Sequence, residues 1–270
     1  MTRRKLIHGP LTYCFVVCAG ISGCGGDTSP DSSIAVVSSS PPQPSLSSTP
    51  TQTPTPSASP PSSASVPSPE VTSLAGVLVQ AGDSIGIGEG AGYWAAIDHL
   101  DLGPNVTVRN ASVSGRTLLT GFEMRSADLF AYANPVKSSV LIIQQGTNDL
   151  GLSESRGSWL YDYVLAPFVA SAHEAGFYVV VNTILPRSDW RWTSVKEAER
   201  QVYNAAVRIN SAGADSVNDV ASDSLIGDQQ NPSRSGFYAD GLHLNLQGQT
   251  RMATLAAEAV RPLLAKGKRP

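Results

Sequence analysis

The residues best suited to covalent chemistry are a serine between two glycines and a histidine near the C-terminus. Ser84 stands in the segment Gly82-Asp83-Ser84-Ile85-Gly86, and His243 follows Asp240 by three residues. A serine hydroxyl is a weak nucleophile at neutral pH and needs an adjacent base. The short spacing lets the Asp240 carboxylate fold back and hold one imidazole nitrogen, so that the other is presented to Ser84. We therefore predict that these three residues act together.

Two other histidines, His99 and His173, lie within helix-like stretches away from the ends of the predicted strands. Histidines in such places more often pack or face solvent, so neither is assigned as the base. The alternative for Asp240 is a simple capping role at the helix that follows it.

Five short segments of the chain, which would form the framework that positions these residues, have the composition of buried strands. They are 75–81, 105–110, 139–145, 177–185 and, more weakly, 214–220. Helix-like stretches separate and follow them, at about 90–101, 119–133, 158–175, 194–212 and 246–265. Short apolar strands that alternate with helices predict an α/β fold, in which a parallel sheet is covered on both faces.

Four polar segments that contain glycine lie where strands end or just before the last helix. They are Gly82–Gly86, Asn110–Gly115, Gly146–Asp149 and Asp240–His243. In an open parallel sheet, ligands bind beyond the carboxyl ends of the strands. The four segments are therefore expected to converge on one edge of the sheet and to form the site there.

In this order, the four segments resemble the sequence blocks of the SGNH (GDSL-like) hydrolases, over about residues 74–265. GDSI is similar to the GDSL block, NASVSG to the second block, GTND to the GxND block and DGLH to the DxxH block. The departures are Ile85, where the family usually has leucine, and the pair Gln144-Gln145 before the third block. The resemblance implies a three-layer, flavodoxin-like parallel sheet of about five strands.

The resemblance also implies a serine esterase, with Ser84 as nucleophile and Asp240 and His243 as the acid and base. It places the oxyanion hole at the backbone N–H of Ser84, the N–H of Gly115 and the side chain of Asn148. These donors are physically suitable, because an oxyanion hole needs N–H groups aimed at a tetrahedral oxygen and glycine permits a close backbone approach. Taken alone, Gly115 could be an ordinary turn glycine and Asn148 a capping residue.

The substrate is less well defined by the sequence than the chemistry is. The resemblance implies carboxylic ester hydrolysis, which includes lipase, lysophospholipase, thioesterase and carbohydrate deacetylase activities. No extended apolar lid segment is visible, and this favours short acyl groups or acetylated glycans. Trp190 and Trp192 either contact a sugar or acyl group or simply pack. A non-catalytic, glycan-binding surface lipoprotein on the same fold is the alternative from a different class.

Two other motifs match the same region by their letters. Gly82-x-Ser84-x-Gly86 fits the nucleophile elbow of the α/β-hydrolases, but that fold places several strands before the elbow, and only about ten structured residues precede Ser84 here. Gly86-x-Gly88-x-x-Ala91 fits a dinucleotide-binding fingerprint, which requires an acid after the second strand. Asn110 occupies that place, so nucleotide binding is not expected.

Composition narrows the range of cofactors and partners. The formal net charge is −3 and the sequence pI is about 5.8, so no basic surface for nucleic acid is implied. The three cysteines, Cys14, Cys18 and Cys24, all precede the predicted domain, which therefore lacks a thiol nucleophile and a cysteine metal site. No other cluster has the spacing of metal ligands. We expect no metal or cofactor, and a monomer.

The N-terminus resembles a bacterial lipoprotein signal peptide. A positively charged start, Thr2–Lys5, precedes the apolar stretch Leu11–Ile21, which is too short to span a bilayer. Ile21-Ser22-Gly23-Cys24 is similar to the lipobox, whose cysteine receives lipid. We therefore predict that residues 1–23 are removed and that a lipidated Cys24 anchors the chain to a membrane. An ordinary signal peptide or an uncleaved anchor are the alternatives.

Residues 24–70 are predicted to be a disordered tether between the membrane and the enzyme. Within 28–70, Ser, Pro and Thr dominate and the only charged residues are Asp31 and Glu70. Such a stretch cannot bury enough apolar surface to offset the entropy of ordering. A proline-rich ligand for a recognition domain is the alternative. The domain is predicted at 71–270, held at the cell envelope and facing the periplasm or the cell exterior.

Overall fold

The computed structural model describes residues 73–152, 156–234 and 236–270. The predicted signal peptide, Cys24 and the tether at 24–70 lie outside these residues and stay predictions, as does the domain boundary at 71. Within the described ranges, no helix combines the length and the apolar character needed to cross a bilayer.

The centre of the fold is a sheet of five parallel strands. In chain order they are β1 Gly76–Gly82, β2 Val106–Asn110, β3 Ser138–Gln144, β4 Tyr178–Asn182 and β5 Ser216–Asn218. In space the order is β2-β1-β3-β4-β5, so the chain reverses direction across the sheet between β1 and β3. This is the flavodoxin-like order, which places a ligand crevice at the carboxyl ends of β1 and β3. The predicted α/β class and the five-stranded parallel sheet are confirmed.

Helices lie on both faces of the sheet. They are α1 Leu118–Asp128, α2 Thr147–Leu152, α3 Gly157–Leu160, α4 Ala166–Glu174, α5 Ser194–Ile209, α6 Asn231–Arg234 and α7 Leu246–Leu264. A π-helical segment, Tyr161–Leu165, joins α3 to α4. The stretch predicted as one helix at 158–175 is therefore continuous but changes its helical type on the way.

Successive side chains along each strand point to opposite faces of the sheet. Val79 and Leu141 point to a core formed with α1, α3, α4 and α5, whereas Leu78 and Val140 point to a second core formed with α7. All four side chains have no accessible surface. This burial on both sides explains why the strands are almost continuous apolar runs rather than alternating ones.

The predicted helix at 90–101 is wrong. The chain there forms two 3-10 turns, Glu89–Ala91 and Ala96–His99, separated by an irregular link. Gly92 and Tyr93 in that link have φ values of 64° and 66°, in the left-handed region, which a right-handed helix cannot include. Ala95, Ala96 and Ile97 of this stretch are buried, whereas Tyr93 is 69% exposed.

Candidate active site

Ser84 follows β1 in a tight turn that packs against the loop carrying His243. His243 Nε2 lies 3.0 Å from Ser84 Oγ, and His243 Nδ1 lies 2.8 Å from Asp240 Oδ2. The structure thus brings together, in hydrogen-bonding order, the three residues that the sequence analysis selected. A hydroxyl, an imidazole and a carboxylate in this order can move a proton away from the hydroxyl.

The Asp240 carboxylate also organises the backbone of its own loop. Its Oδ1 atom accepts hydrogen bonds from the N–H groups of Leu242 and His243, over 2.7 and 2.6 Å. Burial raises the pKa of Asp240, but the His243 side chain and these two N–H groups outweigh it and hold the pKa below its ordinary value. The Asp240 carboxylate, which faces the imidazole, is therefore charged at neutral pH.

The His243 loop is fixed to the body of the domain on both sides. Tyr238 and Leu244 form an antiparallel bridge across it, and the Ala239 N–H donates to the His243 carbonyl over 2.9 Å. On the other side, the Ser188 N–H donates to the Gly241 carbonyl over 2.8 Å. The imidazole is therefore positioned by backbone hydrogen bonds as well as by Asp240.

Buried amides hold the turn that carries Ser84. The Gly86 carbonyl accepts from Gln80 Nε2 and from Asn110 Nδ2, each over 3.1 Å. Gln249 of α7 donates to the Ile85 carbonyl over 2.7 Å. Asn110 stands where a dinucleotide-binding fingerprint would require an acid. In the structure, its side chain instead stabilises the turn that carries Ser84.

Asp83, next to Ser84 in the chain, stabilises the turn that carries Ser84. It is 1% exposed, and its Oδ1 atom accepts from the Ile85 N–H over 3.0 Å. Burial raises the pKa of Asp83 to about 7, because desolvation outweighs the hydrogen bonds that favour the charged form. The carboxyl therefore carries a proton over much of the acidic range in the folded protein.

Gly115 lies in the turn after β2 with a φ of 72°, in the left-handed region that glycine adopts without strain. No heavy atom lies within 4 Å of the position that a Cβ would occupy, so this face of the turn is open. The turn is tied to the nucleophile segment by the Val113 N–H, which donates to the Gly82 carbonyl over 3.2 Å.

Asn148 lies in the first turn of α2, a helix that the sequence pattern does not predict. It is buried, and its Nδ2 atom donates to the Arg116 carbonyl over 3.1 Å. The neighbouring Asp149 carboxylate accepts from the N–H groups of Leu118 and Leu119, over 2.7 and 3.3 Å. The second and third polar segments are therefore fastened to each other, and the expected convergence on one sheet edge is present.

Glu89 is a site residue that the sequence motifs do not predict. Its Oε2 atom lies 3.8 Å from His243 Nε2, on the nitrogen that faces Ser84, and accepts a hydrogen bond from Ser114 Oγ over 2.9 Å. The available signal was an acid five residues after Ser84 within a glycine-rich turn. Nothing in the local sequence indicated that this turn would meet the His243 loop.

Comparison with known proteins assigns this arrangement to a family. The model of the GDSL-like lipase/acylhydrolase family matches residues 81–251, which is more than half of the chain. The chain belongs to this family. The match includes all four polar segments, and the predicted resemblance is confirmed. A search of curated protein sequences found no match.

Solved structures agree with this family fold. TesA is 26% identical, with a TM-score of 0.52, and the alignment covers 69% of this chain and 99% of TesA. A GDSL-like lipase from Bacteroides thetaiotaomicron is 19% identical, with a TM-score of 0.54 and coverage of 69% and 88%. A protein assigned to the G-D-S-L lipolytic family from Desulfitobacterium hafniense is 19% identical, with a TM-score of 0.51 and coverage of 67% and 98%.

In this GDSL-like family member the two other histidines have structural partners. His99 stacks on Trp94, with ring centroids 3.9 Å apart and planes 2° from parallel. His173 Nε2 lies 2.9 Å from Asp215 Oδ2. Among the described residues, neither imidazole forms a hydrogen bond with a candidate nucleophile. Within the described part of the chain, no group of three potential ligands could hold a metal ion.

The two tryptophans after β4 have different surroundings. Trp192 donates from Nε1 to Glu197 over 3.1 Å and lies under the guanidinium of Arg187, 4.8 Å from its ring centroid, so it is a packing residue. Trp190 is 86% exposed. It follows the segment whose Ser188 contacts the His243 loop, which places its backbone beside the candidate site.

Proposed function

We propose that this protein is a serine ester hydrolase that forms an acyl-enzyme on Ser84. The observation that carries the proposal is the chain of contacts from Ser84 Oγ to His243 Nε2, at 3.0 Å, and from His243 Nδ1 to Asp240, at 2.8 Å. Membership in the GDSL-like lipase/acylhydrolase family supports hydrolysis of ester bonds as the reaction class.

In the proposed mechanism, His243 takes the proton of Ser84 Oγ as the oxygen attacks the ester carbonyl. The charged Asp240 holds Nδ1–H and stabilises the imidazolium that forms. The imidazolium then donates its proton from Nε2 to the leaving alcohol, and the C–O bond to that alcohol breaks. A water molecule, deprotonated by the same nitrogen, then releases the acid from the acyl-enzyme.

The oxyanion is proposed to be held by three donors. They are the backbone N–H of Ser84, the N–H of Gly115 and the side chain of Asn148. The Asn148 amide has two N–H groups, so the hydrogen bond to Arg116 leaves the other for the substrate oxygen. The Arg116 bond also fixes the direction of the amide before substrate arrives, which favours catalysis.

We propose short acyl esters and acetylated glycans as substrates, with Trp190 as a surface on which a sugar or aryl group can stack. The exposed position of Trp190 next to the His243 loop supports this choice. Lysophospholipase and thioesterase activities are the alternatives within the same chemistry. A glycan-binding lipoprotein without catalysis is the alternative outside it.

The deciding experiment measures hydrolysis of p-nitrophenyl esters from acetate to decanoate, together with release of acetate from acetylated xylan. We expect turnover that falls with acyl length, and at least a 10³-fold loss in Ser84→Ala. Ser171→Ala on α4, whose hydroxyl donates to the Pro167 carbonyl of the same helix, is the matched control. A fluorophosphonate probe should label Ser84 in the wild type. A folded protein that binds xylan but hydrolyses none of these esters would favour the non-catalytic alternative.

We propose that the enzyme acts as a monomer at the cell envelope, where the lipidated Cys24 and the tether would hold it on a membrane. The lipobox-like segment before Cys24 and the composition of 28–70 support this placement. The acidic balance of charge gives no reason to expect a nucleic-acid partner.

A further inference from the structure

A carboxylate that the ester-hydrolase mechanism does not use lies beside the catalytic nitrogen. Glu89 Oε2 is 3.8 Å from His243 Nε2, whereas Asp240 contacts the opposite nitrogen, Nδ1. The hydrogen bond from Ser114 Oγ, at 2.9 Å, holds the Glu89 carboxylate in this place. The Glu89 side chain is 35% exposed, so it can contact both His243 and a molecule that enters from solvent.

The reaction geometry brings the leaving alcohol of a substrate close to Glu89. The imidazolium must donate from Nε2 to the oxygen of the leaving alcohol, so that oxygen has to come within about 3 Å of Nε2. Because Glu89 Oε2 is 3.8 Å from the same nitrogen, it lies within about 7 Å of the leaving oxygen. Glu89 therefore lies within electrostatic reach of a charge on the alcohol half of the ester.

The other charges near the site do not neutralise Glu89. One further carboxylate, Asp240, contacts His243 directly, at 2.8 Å from Nδ1. Two guanidinium groups of the neighbouring loops are paired with other acids: Arg116 with Asp128 at 2.8 Å and Arg187 with Asp189 at 2.7 Å. A third, Arg191, lies over the Trp190 ring, 4.7 Å from its centroid. The charge beside the catalytic nitrogen is therefore that of the Glu89 carboxylate.

We propose that Glu89 selects esters whose alcohol half carries a positive charge, such as an ammonium group one or two carbons from the ester oxygen. This inference rests on the proposed function, because it assumes that His243 serves the leaving alcohol. A carboxylate about 5 Å from a cation at a partly exposed site favours the cationic substrate by about tenfold. Alcohols that carry a phosphate are disfavoured for the same reason.

The test compares butyrylcholine with 3,3-dimethylbutyl butyrate, two esters of the same shape that differ only in the charge of the alcohol half. We expect the wild type to hydrolyse the choline ester with a kcat/KM about ten times higher. This ratio should fall to about one in Glu89→Gln and below one in Glu89→Lys. The ratio of the wild type should also decrease as NaCl is raised from 20 to 500 mM.

Glu258→Gln is the control for a general loss of negative charge, because Glu258 lies twelve residues, or about 18 Å, along α7 from its start. Its ratio should equal that of the wild type. Hydrolysis of the neutral ester by the wild type measures the proposed function separately, and its absence would overturn that function. A wild-type ratio near one, or an unchanged ratio in Glu89→Gln and Glu89→Lys, would overturn the role of Glu89.

Discussion

Gly90 lies so close to His243 that a Cβ atom on Gly90 would come within 2.6 Å of the His243 Cβ. The same atom would lie 2.7 Å from the Leu244 carbonyl oxygen, which belongs to the backbone and cannot easily move away. Gly90 is not in the left-handed region, so its backbone would accept an alanine. The requirement for glycine at this position is therefore steric, and it comes from the contact with the His243 loop.

Gly90→Ala should displace His243 and lower kcat at least tenfold, because displacements of about 1 Å in a catalytic group can cost 10²-fold in rate. The measurement is kcat and KM on a neutral p-nitrophenyl ester, with circular dichroism to verify folding. Gly236→Ala is the matched control, since the nearest atom to its Cβ position is Gln247 Oε1 at 4.0 Å. Equal kcat values for the two variants would show that the His243 loop adapts to the added methyl group.

Asn148→Ala should lower kcat by roughly 10²–10³-fold with little change in KM, the usual loss for one oxyanion donor. Loss of the hydrogen bond to Arg116 should reduce the free energy of unfolding by only about 1 kcal/mol. Kinetics and urea denaturation separate the two effects. Asn105→Ala, at an exposed position before β2, should change neither quantity. A loss of stability without a loss of kcat would make Asn148 a structural residue.

Asp83 should make stability depend on pH near neutrality. Burial raises its pKa from 3.8 to about 7, so between these values the folded state holds a proton that the unfolded state has lost. The free energy of unfolding must then decrease as pH rises from about 4 through 7. Asp83→Asn stays neutral and keeps an acceptor for the Ile85 N–H, so most of this decrease should disappear.

Urea denaturation from pH 5 to pH 9 measures this difference directly. A remaining slope in Asp83→Asn is expected, because burial also raises the pKa of Asp149. If the two proteins gave parallel curves across this range, the buried Asp83 would not be the group that takes up the proton.

Cys24→Ser should release the protein from membranes and leave its esterase activity unchanged, because the candidate site lies entirely within the family domain. The measurement is membrane fractionation of the full chain expressed in a bacterium that processes lipoproteins, with activity assayed in both fractions. Cys18→Ser, inside the predicted signal peptide, is the control and should stay membrane-bound. A Cys24→Ser protein that sediments with membranes would contradict the anchor.

The sheet was predictable because its strands are buried on both faces and therefore form unbroken apolar runs, as in 139–145 and 177–185. The four polar segments were predictable because parallel strands all end at one edge. The structure of 90–101 was not predictable. The spacing of its apolar residues favours a helix, but the left-handed backbone at Gly92 and Tyr93 interrupts one, and the residue pattern does not reveal that conformation. Local backbone conformation decided the outcome.

Glu89 was missed for a different reason. Its relation to His243 depends on how two loops meet in space, and Ser84 and His243 themselves are 159 residues apart in the chain. Short motifs can predict that an acid and a histidine lie in the same loop, as for Asp240 and His243. They cannot predict which third residue the folded chain brings against the other nitrogen.

The Asp149 carboxylate accepts hydrogen bonds from the first two N–H groups of α1. These bonds connect the loops of Gly115 and Asn148, so that a shift of one loop also moves the other. An insertion in either loop would shift both proposed oxyanion donors at once, so directed evolution there should yield few active variants. The segment around Trp190 has fewer such ties: Ser188 is bonded to Gly241 and Arg187 to Asp189, whereas the Trp190 side chain is 86% exposed and contacts the guanidinium of Arg191, 4.7 Å from its ring centroid. Libraries aimed at new substrates are best built at Trp190 and its neighbours, where sequence can change without moving the groups that stabilise charge.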